Sequence, residues 1–318
     1  MEKGISKIVL VGAGTMGVQI GALCAGRDYI VYVYDVNSDV LEKVPQRLEH
    51  IFSEMLVSGV PEGKNPAKSL RNVHLAVDLR HACIDADLLI ESVSEDEEQK
   101  HRVFRAVSDY CSETAILATN SSSFIPSMFT QDCRHPRRLA ALHFHLPVWV
   151  CRVVDVMPHV GTEPEVVSAL TDFAKSLGQV VIPYARETYG YVFNALLGSV
   201  QRQALDLVIS GIANFEDVDR AWMGITHMEI GPFGMIDQIG LDTVRDIFAY
   251  WAKKLSDPAA HRRVLFLNDF VAKAHLGAKT GQGFYSYPNP SYHRPNFARP
   301  DPAAPEQLKI AGFRFSAL

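Results

Sequence analysis

Residues Gly12-Ala13-Gly14-Thr15-Met16-Gly17 follow the apolar run Ile8-Val9-Leu10-Val11 and open a helix-like stretch, and no other feature of the chain restricts its fold so strongly. A glycine turn between strand and helix is a phosphate cradle. The first glycine permits the tight turn and the second lets backbone approach a pyrophosphate. The third allows helix and strand to pack closely, and the helix N-terminus presents unpaired N–H groups and a positive dipole end. A second apolar run, Ile30 to Tyr34, ends at Asp35, where an acid can hold a ribose diol. Such a carboxylate repels a ribose phosphate, and Val36-Asn37-Ser38 supply no arginine to receive one, so NAD is expected rather than NADP.

The pattern extends beyond this unit. Short apolar runs at Lys7 to Val11, Ile30 to Tyr34, Val73 to Ala76, Leu88 to Ile90, Ala115 to Ala118 and Leu139 to Phe144 alternate with helical stretches at Thr15 to Ala25, Asp39 to Val57 and Glu97 to Tyr110. This alternation predicts an α/β, doubly wound, Rossmann-type sheet, extended by Val150 to Val156, a helix from Glu163 to Leu177 and the run Val180 to Pro183. After about Arg186 strand signals cease. Val192 to Ile209, Phe215 to Met223, Gly234 to Leu255 and His261 to His275 read as successive helices. The expected organisation is therefore a dinucleotide-binding domain over 1–186, an all-α domain over 187–287, and a Pro-rich tail or linker over 288–318. The first helix of the second domain is apolar round much of its circumference, which predicts burial against a second subunit, a homodimer, or else a central helix wrapped by its own domain.

A chain of 318 residues, 47% hydrophobic, can fill two medium cores, and a formal net charge of −5 argues against a nucleic-acid partner bound over the whole surface. Cys24, Cys83, Cys111, Cys133 and Cys151 show no paired spacing, so reduced thiols are expected and no metal is implied. With no apolar run near the roughly 20 residues of a membrane helix, a soluble, cytoplasmic protein with no membrane partner is expected.

Chemistry concentrates in Ala140 to Asp155, where the carboxyl edge of the sheet should meet the nicotinamide. His143 can take a proton from a hydroxyl as hydride leaves the same carbon, and a carboxylate such as Asp155 on its other nitrogen would fix the tautomer. His145, at strand spacing, faces the same side and competes for the role. Thr119-Asn120-Ser121-Ser122-Ser123 follows an apolar strand, so its donors lie either at the cleft or in a polar turn capping a helix. Asn194, in Gly190-Tyr191-Val192-Phe193-Asn194, is a lone amide in an apolar helix, and a substrate carbonyl is one partner that would satisfy it.

Together these motifs resemble the L-3-hydroxyacyl-CoA dehydrogenase family over about residues 5 to 287. The resemblance implies a dinucleotide-binding domain followed by a helical dimerisation domain. It places Gly12, Gly14, Thr15, Met16, Gly17, Asp35, Glu95, Lys100 and Asn120 at the cofactor. It gives Ser122 to the substrate's 3-oxygen, His143 to general acid/base catalysis and Asn194 to the reacting substrate, with Asp155 as the partner of His143. The segments 230–243 (IGPFGMIDQIGLDT) and 279–285 (KTGQGFY) look like the family's helical-domain signatures. Departures cluster at the substrate. Asp155 stands where the family usually has glutamate, Leu146-Pro147 replaces Asn-Pro, and Trp149 replaces a second proline, so that Val148-Trp149-Val150 resembles a branch that includes diketoreductases. Lys64, Lys68 and Arg71 fall in the segment where the family meets the phosphates of coenzyme A, whereas His135 to Arg138 reads as an exposed basic turn. The expected activity is NAD-dependent interconversion of a short-chain L-3-hydroxyacyl-CoA and its 3-ketoacyl-CoA. The alternatives are a same-family enzyme acting on free 3-hydroxy acids, sugar acids or diketo esters, and a non-enzymatic NAD-binding structural protein.

Overall fold

In a computed structural model, which describes residues 4–255 and 258–298, eight strands form a single sheet in the order β3-β2-β1-β4-β5-β6-β7-β8. The strands are β1 (Lys7–Val11), β2 (Ile30–Tyr34), β3 (Val73–Ala76), β4 (Leu88–Glu91), β5 (Ile116–Thr119), β6 (Leu139–Phe144), β7 (Val153–Pro158) and β8 (Val180–Pro183). Neighbours run parallel except β6 and β7, whose antiparallel register sets His143 opposite Asp155. Strands β4, β5 and β6 are buried at every position, as near-continuous apolar runs covered on both faces must be. The chain reverses winding direction between β1 and β4, which opens a crevice beyond their carboxyl ends.

Helices α1 (Thr15–Gly26), α2 (Ser38–Glu42), α3 (Val44–Val57), α4 (Pro66–Leu70), α5 (Leu79–Cys83), α6 (Glu97–Tyr110), α7 (Val148–Cys151) and α8 (Pro164–Ser176) complete the first unit. The stretch expected as one helix from Asp39 to Val57 divides at Lys43, because Pro45 in the first turn of α3 has no N–H to continue the ladder. The expected strand from Val150 begins later. Val148–Cys151 is a helical turn closed by Arg152 at φ 43°, and extended backbone starts at Val153.

The described chain separates into two compact units, the first ending at Tyr191 and the second starting at Val192. The second contains α9 (Tyr191–Ile209, its first residue belonging to the first unit), α10 (Phe215–Thr226), α11 (Pro232–Ile239), α12 (Leu241–Leu255) and α13 (Pro258–Val271). Gly240, at φ 105°, splits the helix expected over Gly234 to Leu255. Two buried carboxylates hold this unit's core. Asp219 accepts the N–H groups of Phe233 and Gly234 and the Tyr285 hydroxyl, and Asp237 accepts those of Phe284 and Tyr285 and the Tyr287 hydroxyl. They thereby tie the IGPFG and TGQGFY segments into one core. The first part of the Pro-rich region is not a linker. Tyr292 and Phe297 are buried in the helical core, and the Phe297 carbonyl accepts from Arg220 at 2.9 Å. Residues 299–318 lie outside the described residues. No helix among the described residues is long and apolar enough to cross a membrane.

Candidate active site

Each strand from β1 to β6 that borders the crevice delivers one element of the site at its carboxyl end. After β1 comes the glycine turn. A Cβ on Gly12, whose φ is 109°, would sit 2.5 Å from the Ser92 carbonyl oxygen, and one on Gly17 would sit 2.0 Å from the Gly12 oxygen. A Cβ on Gly14 would meet nothing within 4 Å. The first and third glycines are therefore demanded by the protein's own packing, while the second faces open space. The α1 N-terminus behind it has no side-chain cap and no acid in its first turn, so its N–H groups suit an anion. After β2, Asp35 accepts the Ala13 N–H at 2.8 Å through one oxygen and that of Asn37 at 2.9 Å through the other. This locks the carboxylate against the glycine turn. The Arg47 guanidinium, which sequence reasoning did not single out, donates to the Ala13 carbonyl. These residues fit a dinucleotide diphosphate and ribose.

Beyond β4 lies a buried charge cluster. The Lys100 ammonium is 1% exposed and sits 2.7 Å from Glu91 and 3.0 Å from Glu95. Burial pushes Glu91 above the usual carboxylate range, although Lys100, Thr119 and the Val93 N–H all donate to it. At Glu95 burial is outweighed by Lys100 and by donors from residues 121 and 123, and its carboxyl is held below its ordinary value. One Glu95 oxygen accepts the Ser121 hydroxyl at 2.6 Å and the N–H groups of Ser122 and Ser123 at 2.9 and 2.8 Å. The polar turn after β5 is thus organised by the segment after β4. Ser122 remains exposed, its hydroxyl 3.3 Å from the same oxygen. Asn120 is buried and accepts the Phe144 N–H at 2.8 Å through its side-chain carbonyl, so the donor it can offer a ligand is its amide NH2.

At the end of β6, His143 is 5% exposed and its Nδ1 lies 2.9 Å from Asp155 Oδ2. The shorter acid reaches the imidazole directly. Asp155 is itself 1% exposed; burial alone would raise its pKa, but hydrogen bonds from His143, His145 and Tyr184 bring it down to about 2. An ionised carboxylate can only accept, so Nδ1 of His143 carries the proton and Nε2 keeps its lone pair. Desolvation lowers the His143 pKa below its ordinary value despite Asp155. One face of the imidazole is covered by the Tyr191 ring, with centroids 4.3 Å apart and planes 11° apart. Tyr191 sits in the left-handed region at φ 51°, following Gly190 at φ 78°, and its hydroxyl donates to the Ser121 carbonyl at 2.8 Å. Backbone strain of this kind persists where the surroundings demand one side-chain position. Ring nitrogens of His143 and His145 and a carboxylate oxygen of Asp155 lie within 4.8 Å of one another. Both imidazoles stand at hydrogen-bond distance from the carboxylate, an arrangement suited to proton transfer.

Other expected residues fall elsewhere. Trp149, on the helical turn α7, is buried in the core packed around α1. Lys68 is paired with Asp28 at 2.6 Å, while Lys64 is exposed. Asn194 lies in the second unit, half-buried on α9. Glu91, Tyr184 and Tyr191 were missed. The nearest signal was for Tyr191, an aromatic directly after a glycine and three residues before Asn194.

The family description "3-hydroxyacyl-CoA dehydrogenase, NAD binding domain" matches residues 7–188, and "3-hydroxyacyl-CoA dehydrogenase, C-terminal domain" matches residues 190–287. A probable 3-hydroxyacyl-CoA dehydrogenase of Caenorhabditis elegans is 29% identical, covering 90% of this chain and 97% of that protein. A probable 3-hydroxybutyryl-CoA dehydrogenase of Bacillus subtilis is 29% identical, covering 89% and 98%. Among solved structures, a diketoreductase described in terms of dual catalysis of dicarbonyl compounds superposes with a TM-score of 0.83 at 32% identity, over 90% of this chain and 100% of that one. The chain belongs to the 3-hydroxyacyl-CoA dehydrogenase family of oxidoreductases, and its sheet unit is that family's NAD binding domain.

Proposed function

We propose that the protein interconverts L-3-hydroxyacyl-CoA and 3-ketoacyl-CoA, with His143 as the general acid/base and a short acyl chain as substrate. The observation that supports this reading most is the buried bond between His143 Nδ1 and Asp155, which leaves a lone pair on Nε2. When bound, NAD accepts or returns the hydride. In oxidation His143 Nε2 takes the proton of the substrate hydroxyl, and Asp155 stabilises the resulting imidazolium; in reduction the same nitrogen returns the proton to the oxygen. Ser122 offers a hydroxyl donor toward developing oxyanion charge. Asn194 keeps the substrate-binding assignment that the resemblance gives it. Asp35, the glycine turn and Arg47 orient the coenzyme's ribose and diphosphate, while Glu95 and Lys100 shape the segment beside Asn120.

A second reading, reduction of free 3-oxo acids or diketo esters, is favoured by one observation: Lys68, an expected partner for coenzyme A phosphates, is engaged with Asp28. NADH oxidation with acetoacetyl-CoA, free acetoacetate and a diketo ester separates the two. At least tenfold higher kcat/KM on acetoacetyl-CoA supports the first reading, and the reverse preference replaces it with the second.

We further propose that the chain pairs with a second copy through α9, where Val192, Phe193 and Leu196 are 49%, 56% and 64% exposed. Sedimentation equilibrium of wild type and Phe193→Glu tests this. A wild-type dimer that the substitution converts to monomer is expected; a wild-type monomer contradicts it.

A further inference from the structure

The Asp155 carboxylate has more partners than one catalytic imidazole requires. His145 Nε2 lies 2.9 Å from Oδ2, the same oxygen that His143 Nδ1 engages at 2.9 Å, and the Tyr184 hydroxyl donates to Oδ1 at 2.8 Å. The two imidazoles meet edge to face, with centroids 4.5 Å apart and planes at 70°. Both histidines come from one alternating stretch around the end of β6, Asp155 from the middle of β7, and Tyr184 from the residue after β8.

We propose that His145 is a positioning residue for proton transfer: by donating to the oxygen that His143 uses, it divides that oxygen's accepting capacity and limits how strongly Asp155 can stabilise a His143 imidazolium, while Tyr184 anchors the other oxygen. This rests on His143 being the general acid/base.

The physical basis is competition at one atom. An ionised Asp155 accepts from every neighbour, so His145 presents Nε2–H to it, as His143 presents Nδ1–H. A lone carboxylate facing one imidazole raises that imidazole's affinity for a proton. Here each further N–H or O–H on the carboxylate draws charge away from the His143 bond. The short aspartate side chain makes the arrangement stiff, since its carboxylate is held at both oxygens by three side chains from the ends of two strands. Groups facing His143 are Asp155 on β7, His145 beyond β6, the Tyr191 ring at the start of α9 and, through its charge, Glu95 beyond β4; Tyr184 acts through Asp155. Of these, Asp155 and Glu95 favour its protonation, whereas burial and His145 oppose it. His143 therefore waits in the neutral form, and its conjugate acid is a ready donor when the ketone is reduced.

The test is the titration of His143 itself, read by NMR on histidine-labelled protein without cofactor or substrate, in wild type, His145→Phe and His145→Gln. Removing the donor in His145→Phe should move the His143 titration upward by roughly half to one pH unit. His145→Gln, which keeps an N–H donor, should stay close to wild type. The acid limb of the kcat/KM profile for hydroxy-substrate oxidation should shift with it. His145→Ala serves if the phenylalanine variant does not fold. A His143 titration unmoved by loss of the donor, or moved equally by phenylalanine and glutamine, overturns the proposal. Full turnover in His143→Ala would instead remove the acid/base assignment, a result visible independently of the NMR titration.

Discussion

The Tyr191 ring lies parallel to the His143 imidazole, with centroids 4.3 Å apart and planes at 11°, and its hydroxyl is bonded 2.8 Å away to the Ser121 carbonyl. One residue thus joins the His143 imidazole to the polar turn after β5. Tyr191→Phe keeps the ring and removes the hydroxyl bond, so it should lower stability by about 1 kcal/mol in urea unfolding and leave kcat within a few-fold of wild type. Tyr191→Ala removes the ring as well. It should lower stability by roughly 3 to 5 kcal/mol and reduce kcat more than KM, because the imidazole loses its stacking surface. Equal kcat in the phenylalanine and alanine variants would separate the ring from catalysis.

The glycines of the turn should separate folding from cofactor binding. Gly12→Ala meets the Ser92 carbonyl and a φ of 109°, and should lose more than about 1 kcal/mol of stability. Gly14→Ala meets no protein atom within 4 Å, so it should melt near wild type yet bind NADH at least about tenfold more weakly by fluorescence titration. Unchanged NADH affinity in Gly14→Ala would place the diphosphate elsewhere.

Lys100 stabilises as the partner of the buried Glu91 and the more exposed Glu95. Lys100→Met strands Glu91 at 0% exposure, and breaking a buried pair from one side costs about 3 to 5 kcal/mol. The double variant Lys100→Met with Glu91→Met removes the fully buried carboxylate as well, leaving only the partly exposed Glu95 without its lysine partner, and should recover part of that loss. Chemical denaturation of the two variants checks the ordering. A double variant no more stable than the single one contradicts it.

The pH dependence of stability follows from Asp155. Its folded pKa of about 2 lies below the ordinary 3.8, so its contribution is fully present above about pH 4 and disappears as pH falls through 2. That difference corresponds to roughly 2 kcal/mol. His143, whose pKa is lowered, acts in the same sense at higher pH, favouring the folded state less as pH falls below 6.5. Asp155→Asn should flatten the acid side of the stability profile and reduce oxidation of the hydroxy substrate by about two or more powers of ten. An unchanged slope of unfolding free energy below pH 4 would count against the assigned role of the carboxylate.

The sheet was legible because its strands are short, apolar and separated by helices of different period, and the glycine turn with Asp35 marked the sheet edge at which the crevice opens. What escaped the sequence depended on contacts made in three dimensions. Strand spacing sets His145 on the same side as His143, but its sharing of the Asp155 oxygen, and the approach of Tyr184 to the same carboxylate, depend on the antiparallel β6–β7 and parallel β7–β8 pairings, a register that residue types do not reveal. Helix breaks at Lys43 and Gly240 were hidden by apolar spacing that continues across them, although Pro45 and Gly240 carried the signal. The Pro-rich segment looked like a linker, yet Tyr292 and Phe297 between its prolines fill the helical core. Asp219 and Asp237 were silent, because an acid buried under backbone N–H groups resembles an exposed one until the fold surrounds it.

The central claim is that His143, oriented by Asp155, moves the proton while hydride moves to or from the substrate carbon. Measuring NADH-dependent reduction of acetoacetyl-CoA and of a diketo ester by His143→Ala, alongside NADH binding by fluorescence, tests it most directly. Turnover should fall by about two to four powers of ten with NADH affinity preserved. Near-normal turnover in His143→Ala, with the loss appearing in His145→Ala instead, would contradict it.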